Sequence, residues 1–307
     1  MYICLRNQIK YIDMGSYTMS QVETLTGIKS HTLRVWERRY SFLKPSRTTS
    51  NIRFYSDEEV RKLLNISILL NNNYRISKID NLNVDEFNEL ILNFKFNYSD
   101  KFEDDISRLI LYMIDMDENA FEQVFQKNVM KNGLLTTMIS LIYPFLNQVG
   151  LLWTTNKTIP SQEHFMSNLI RQKIISAIDL LNNPDDSAPR IILLLPEEES
   201  HEIGLILASY IAKKSGWRVY YLGQNVPIVN LDKLQELTKA KAFFTMFVAP
   251  KKEKYFANFT SKAHKIDAAF FVSGNYDAKY VSSNIKYISN PDDFTEQLKK
   301  LSLKAVV

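Results

Sequence analysis

Apolar and polar positions follow three successive patterns along this chain. In the first, Thr18-Met19-Ser20-Gln21 has the spacing of a capping box, which predicts a short helix through Val22 and Leu25 that stops at Gly27. Ser30 is placed to cap a second helix, His31 to Tyr40, with Leu33 and Trp36 on its inner side and Arg34, Arg38 and Arg39 outside. Ile52 and Phe54 around the turn formers Ser50-Asn51 predict a two-stranded wing over Ser46 to Tyr55. Ser56-Asp57-Glu58-Glu59 is a second capping box, and Val60, Leu63, Leu64, Ser67 and Ile68 trace the stripe of a third helix behind it.

Residues 71 to 83 carry Asn-rich punctuation, and beyond them the period is helical for about a hundred residues. Stripes at i, i+3, i+4 begin at Phe87, Phe102, Phe121, Leu135 and Phe165, which predicts a bundle of four or five helices. After the Pro/Asp/Ser linker Asn182 to Pro189 the pattern changes again. Apolar runs at Ile191 to Leu195, Trp217 to Leu222, Ala242 to Val248, Ala268 to Val272 and Ile285 to Ile288 alternate with helical segments. That alternation predicts a doubly wound, Rossmann-like parallel α/β sheet whose ligands bind beyond the carboxyl ends of its strands. The predicted parts are a tail over 1–16, a winged helix-turn-helix over 17–80, a bundle over 84–182 and the sheet domain over 190–307.

Composition narrows the class. With 45% hydrophobic and 23% charged residues the 307-residue chain can fill real cores, so wholesale disorder is excluded. The single cysteine, Cys4, forms neither an internal disulfide nor a cysteine-based metal site, which points to a reducing compartment. No signal peptide is legible. The charge-free stretch 132–156 is apolar, but Thr136, Thr137, Ser140, Asn147, Gln148 and Pro144 make it a buried core helix rather than a membrane span. Charge is segregated: residues 1–79 hold 13 Lys and Arg against 6 Asp and Glu, a surplus of +7, leaving −3 for the rest of a chain of net charge +4. A basic head on a near-neutral body is the distribution that phosphate binding requires, although a solvated basic face has the same count.

The run Thr32-Leu33-Arg34-Val35-Trp36-Glu37-Arg38-Arg39-Tyr40, followed by Pro45, Arg47 and Arg53-Phe54-Tyr55, resembles the winged helix-turn-helix of MerR-family transcriptional regulators. The resemblance implies that the second helix enters the major groove. Thr32, Arg34, Arg38 and Arg39 would then lie at the DNA, with Arg47, Arg53 and Tyr55 at phosphates. Ser41 and Asn51 stand where that family usually has glycine, and Asn51 is compatible with a left-handed wing turn.

In the first turn of the sheet domain, Glu199-x-His201-x-x-Gly204 is similar to the Asp-x-His-x-x-Gly signature of cobalamin-binding domains. There the imidazole is the lower axial ligand of cobalt and the acid holds its other nitrogen. Read alone, a histidine in a βα turn is more often a cap or a solvated residue. By the same resemblance Thr245, Ser273 and Gly274 line the tunnel for the nucleotide tail. Glu199 replaces Asp, Phe247 replaces Leu, and Ser273 adds a side chain where close backbone approach is expected. Trp153-x9-Glu163-His164 is similar to the pattern of adenosylcobalamin-dependent photoreceptor repressors of the CarH, CarA and LitR type. Without it, a core Trp and a first-turn acid account for those residues.

The resemblance implies a bacterial cytoplasmic repressor, at the nucleoid when DNA-bound. Adenosylcobalamin would hold it in a dimer or tetramer on operator DNA, light would release it, and an antirepressor protein would be a further partner. Two rivals stay open: a MerR-type regulator whose pocket answers to another ligand or protein, and a corrinoid-carrier subunit of a methyltransferase or mutase. On the MerR reading His31, at the start of the second helix, would touch phosphate, and His264 is read as solvated. No Walker loop, Gly-x-Gly-x-x-Gly or Ser/Cys nucleophile arrangement is present, so an enzyme is not expected.

Overall fold

The structure is a computed structural model that describes residues 17–48, 51–71, 73–92, 102–154, 160–249, 251 and 253–304. The predicted tail 1–16, with Cys4, and Ser50 of the wing turn lie outside these residues. Two compact units emerge, Met1–Leu169 and Ile170–Val307.

The first unit begins with β1 (Tyr17–Thr18), α1 (Met19–Thr26) and α2 (Ser30–Arg39). Thr18 and Gln21 form the predicted capping box, and Gly27 closes α1 with φ 72°, a left-handed position suited to glycine. Ser30 does not cap α2. It is the first helical residue, and its N–H donates to Glu23 Oε2 at 3.2 Å, so a carboxylate from α1 takes the capping role. The wing strands β2 (Ser46–Arg47) and β3 (Arg53–Tyr55) pair antiparallel, and β1 joins them on the other side of β3. The next helix, α3 (Asp57–Asn71), opens on the second capping box: Ser56 N–H donates to Glu59 Oε2 at 2.9 Å and Glu59 N–H to Ser56 Oγ at 3.2 Å. Short α4 (Ile76–Asp80) and α5 (Val84–Leu92) follow, and the head's apolar cluster reaches past residue 80 to include Phe87 with Leu33, Trp36 and Leu64.

The remaining helices of this unit are α6 (Glu103–Ile114), α7 (Glu118–Asn132), α8 (Leu134–Thr137), α9 (Tyr143–Thr154) and the start of α10 (Pro160–Asp179). The charge-free segment is not one uniform helix. Met138–Ile142 is a π-helical turn between α8 and α9 that ends two positions before Pro144, whose ring clashes with an ordinary i−4 carbonyl and whose nitrogen carries no proton. Phe145 and Val149 of α9 are buried, and no described helix is long and apolar enough to cross a membrane.

In the second unit, β4 (Arg190–Pro196), β5 (Arg218–Val226), β6 (Ala242–Phe247), β7 (Ala269–Gly274) and β8 (Ile285–Tyr287) form a parallel sheet in the order β5-β4-β6-β7-β8. The strand order reverses at β4, which places the ligand crevice between the carboxyl ends of β4 and β6. Alternation sets the two faces. Ile192, Leu194, Phe243, Phe247, Phe270 and Val272 bury themselves with residues of α12 (Leu231–Thr238) and α13 (Glu253–Ala263). Phe244 and Phe271 turn the other way, onto Phe294 of α14 (Pro291–Lys304), and α11 (Glu202–Lys214) packs against α14. Each such tilted or edge-on aromatic pair adds roughly 1 kcal/mol beyond the area it buries.

Candidate functional site

On α2 the residues His31, Arg34, Val35 and Arg38 are exposed, a stripe at i, i+3, i+4 and i+7 opposite the buried Leu33 and Trp36. Thr32 is half-buried beside them and Arg39 lies over the Tyr40 ring at 5.6 Å. The wing arginines are not loose. Arg47 Nη2 donates to Glu37 Oε1 at 2.5 Å and Arg53 Nε to Glu37 Oε2 at 2.6 Å. Burial resists ionisation of the Glu37 carboxyl, but the two guanidinium bonds outweigh it and hold the group below its usual range. At the wing tip Asn51 takes φ 64° and its Oδ1 accepts from Arg47 Nη1 at 2.8 Å. The expectation for Tyr55 needs correction: the side chain is fully buried in the head's core, where β3 pairs it with the buried Tyr17 of β1, and it cannot present its hydroxyl to a phosphate. Glu37 as the tether of wing to helix was missed; its place between Trp36 and Arg38 was the available signal.

At the start of α10, Glu163 is buried and His164 half-exposed, with His164 Nδ1 3.0 Å from Glu163 Oε2. The helix opens at Pro160, one residue before the expected cap Ser161, in keeping with proline's preference for a first turn. Trp153 falls in the last turn of α9, and its side chain is outside the described residues. Burial pushes the Glu163 carboxyl up to about 7, against a smaller opposing effect of the Ser167 hydroxyl, and Glu163 Oε1 has no hydrogen-bond partner. A carboxyl with that folded value and an unfolded value near 4.5 favours folding least above pH 7. Stability of the chain is therefore expected to fall by up to about 3 kcal/mol between pH 4.5 and 7, and Glu163→Gln to flatten that slope in urea titrations at pH 5 and 8.

The strongest chemistry lies where the topology puts it. Beyond β4 the chain turns through Glu197 and Glu198, and the fully buried Glu199 binds in two directions. Its Oε2 accepts the N–H groups of Val248 and Ala249, each at 2.9 Å, from the segment after β6; its Oε1 is bonded to His201 Nδ1. Burial opposes ionisation of Glu199, yet the bonds from His201 and Ala249 prevail and keep the carboxyl below its usual range. His201 occupies the N-cap position of α11, but its side chain makes no capping bond, and its Nε2 is buried without a partner. The cap reading is thereby excluded, and an imidazole is left with one nitrogen oriented by a carboxylate and the other free to ligate. Ser200 Oγ and Thr245 Oγ1 are likewise buried and unpartnered.

Gly204 lies in the first turn of α11. Next to His201, Glu202 accepts from Tyr221 Oη at 2.9 Å, Gln224 Nε2 at 2.9 Å and Arg171 Nη2 at 2.5 Å, a cluster that the sequence reading did not pick out although Glu202 stands inside the motif. Ser273 turns its Oγ to the carbonyl of Ile288 at 2.9 Å, so its added side chain is absorbed by the β8 side. Phe247 is buried among Phe256, Phe259 and Tyr276. Gly274 has φ 83°, and a Cβ there would meet the Phe247 carbonyl oxygen at 2.5 Å. Gly274→Ala is expected to destabilise the chain by roughly 2–4 kcal/mol in chemical denaturation, from backbone strain and overpacking together. His264 is exposed, with Nε2 2.8 Å from Ser282 Oγ.

Residues 17–83 match the family model described as MerR HTH family regulatory protein, and residues 106–176 match the one described as B12 binding domain. The chain is 26% identical over 250 residues to the HTH-type transcriptional repressor CarA of Myxococcus xanthus, covering 81% of this chain and 82% of that one. It is 27% identical over 229 residues to the repressor CarH of the same organism, covering 71% and 74%. The HTH-type transcriptional regulator MlrA of Escherichia coli (strain K12) is 37% identical over 76 residues, 24% of this chain and 31% of that one. Among solved structures, the Methanosarcina barkeri monomethylamine corrinoid protein covers 64% of this chain and 99% of its own at 13% identity, with a TM-score of 0.48, too loose to define a shared site.

Proposed function

We propose that this homologue of the CarA and CarH repressors is a B12-sensing, DNA-binding transcriptional regulator, with adenosylcobalamin as its cofactor and light as the signal read through it. The observation that carries the reading is the His201 imidazole, held by Glu199 on one nitrogen and buried without a partner on the other. A single imidazole with one nitrogen unpartnered is a donor suited to the cobalt of a corrinoid, so the residues present fit that group. His201 would hold the cobalt, Glu199 would fix the tautomer and raise the basicity of the ring, and Gly204 would give the corrin close access to α11. Thr245 and Ser200 would offer their unpartnered hydroxyls to the polar tail, beside Ser273 and Gly274. The resemblance assigns Trp153, Glu163 and His164 to the adenosyl group. Bound there, the cofactor supplies a cobalt–carbon bond that light can cleave.

In the head, Arg34, Arg38, Arg39 and Thr32 would meet the major groove, while Arg47 and Arg53 would reach phosphates from a wing that Glu37 holds in place. A homodimer or tetramer in the bacterial cytoplasm would tether several heads, and tethering multiplies operator occupancy through effective concentration. The protein acts as a regulator, not as an enzyme, and an antirepressor protein is a further partner of this reading.

The test is reconstitution in darkness with adenosylcobalamin, followed by desalting, absorbance spectroscopy and a gel shift on DNA from the protein's own promoter. Retained chromophore, together with a spectrum and a DNA complex that both change under green light, is the expected result. DNA binding with no retained chromophore would leave a regulator driven by another ligand or protein. Retained chromophore with no salt-sensitive DNA binding would favour a corrinoid carrier.

A further inference from the structure

The turn that carries His201 is built on backbone its own side chains disfavour. Glu198 has φ 61°, in the left-handed region where a Cβ crowds the following carbonyl. Its N–H donates to Asn225 Oδ1 at 3.1 Å, and Asn225 itself has φ 55°. Asn225 arrives there by an irregular route. The β4–β5 register shifts after Leu193 and again after Leu194, and Gly223, φ 76°, lies within that stretch. Bulges of this kind re-aim side chains beside functional sites.

Glu197 is pinned as well. Its Oε1 accepts the Ile228 N–H at 3.3 Å, its Oε2 accepts Tyr255 Oη at 3.3 Å, and its carbonyl accepts Lys251 Nζ at 3.0 Å. Lys251 Nζ also lies 3.6 Å from the Glu198 carboxylate. Strained residues persist where the surroundings over-determine them, and this one lies three positions before an imidazole with an unpartnered nitrogen.

We infer that Asn225 is a positioning residue for His201: its side-chain carbonyl holds Glu198 in the left-handed conformation that directs Glu199 and His201 into the crevice between β4 and β6. This rests on the reading of His201 as a corrinoid ligand.

The test is an absorbance titration of the full chain with adenosylcobalamin in darkness. Asn225→Ala is expected to bind about 10-fold more weakly and to lose the spectral signature of imidazole ligation. Asn225→Asp, which keeps the acceptor, should bind like the wild type. Glu198→Gly, which needs no help to be left-handed, should restore both affinity and spectrum when combined with Asn225→Ala. That recovery separates positioning from a general loss of folding, and thermal melts of all variants run alongside. Wild-type affinity and spectrum in Asn225→Ala would overturn the inference while the cobalamin reading stands. Failure of Glu198→Gly to rescue a weakened Asn225→Ala would overturn it too. A wild-type chain that takes up no cobalamin would overturn the reading and the inference together.

Discussion

Replacing His201 with alanine is expected to weaken retention of adenosylcobalamin by at least about 100-fold, since partners of metal ligands alone are worth 10–100-fold and this is the ligand itself. The fold should survive the change. Glu199 keeps the amide bonds from Val248 and Ala249, both at 2.9 Å, so its buried charge is not orphaned. Glu199→Gln should show the smaller loss, about 10- to 100-fold, because the imidazole remains but loses its charged partner. Gel filtration in darkness with detection at the corrin absorbance checks both. A His201→Ala protein that still co-elutes with chromophore and an unaltered spectrum would remove His201 from the proposal as the cobalt ligand.

The second large effect lies on α2. Arg34 and Arg38 are one turn apart on the exposed face, and the double change Arg34→Ala/Arg38→Ala should lower DNA affinity by about 100-fold or more, taking 1–3 kcal/mol for a base-contacting arginine. Arg53→Ala should act differently. It strips Glu37 of one guanidinium, loosens the wing, and reduces the salt dependence by about one phosphate contact. Tyr55→Phe is the control: its hydroxyl is buried without a partner, so DNA binding should be unchanged. Fluorescence anisotropy across a salt series measures all three. Undiminished affinity in the double variant would mean that the basic stripe is only a solvated surface.

Much of this architecture could be read locally. Capping boxes at Thr18 and Ser56, the glycine at 27, and the change from helical to alternating periods after residue 189 are short-range signals, and the structure bears each of them out. The Glu199-His201 pair was legible through its resemblance to a known signature, and its two members stand only one residue apart in the chain. What escaped were effects acting across long stretches of chain. The amides of Val248 and Ala249 lie about fifty residues from the carboxylate they satisfy. Glu37 meets Arg47 and Arg53 only once the wing has folded back. The inward turn of Tyr55 depends on the register of a three-residue strand, too short to show a period of two.

The π-helical turn at Met138–Ile142 has a consequence of its own. Such a turn holds one residue more than an α-helix of the same length, and each residue advances the helix by about 100°. Because the bulge itself takes up that extra residue, deleting one residue between 138 and 142 would return the segment to ordinary helix and leave the bearing of everything downstream close to its present one, whereas the same deletion within regular helix would swing it by about 100°. The π-helical turn therefore lets the segment carry one more residue ahead of Pro144 while the end of α9 keeps its compass bearing.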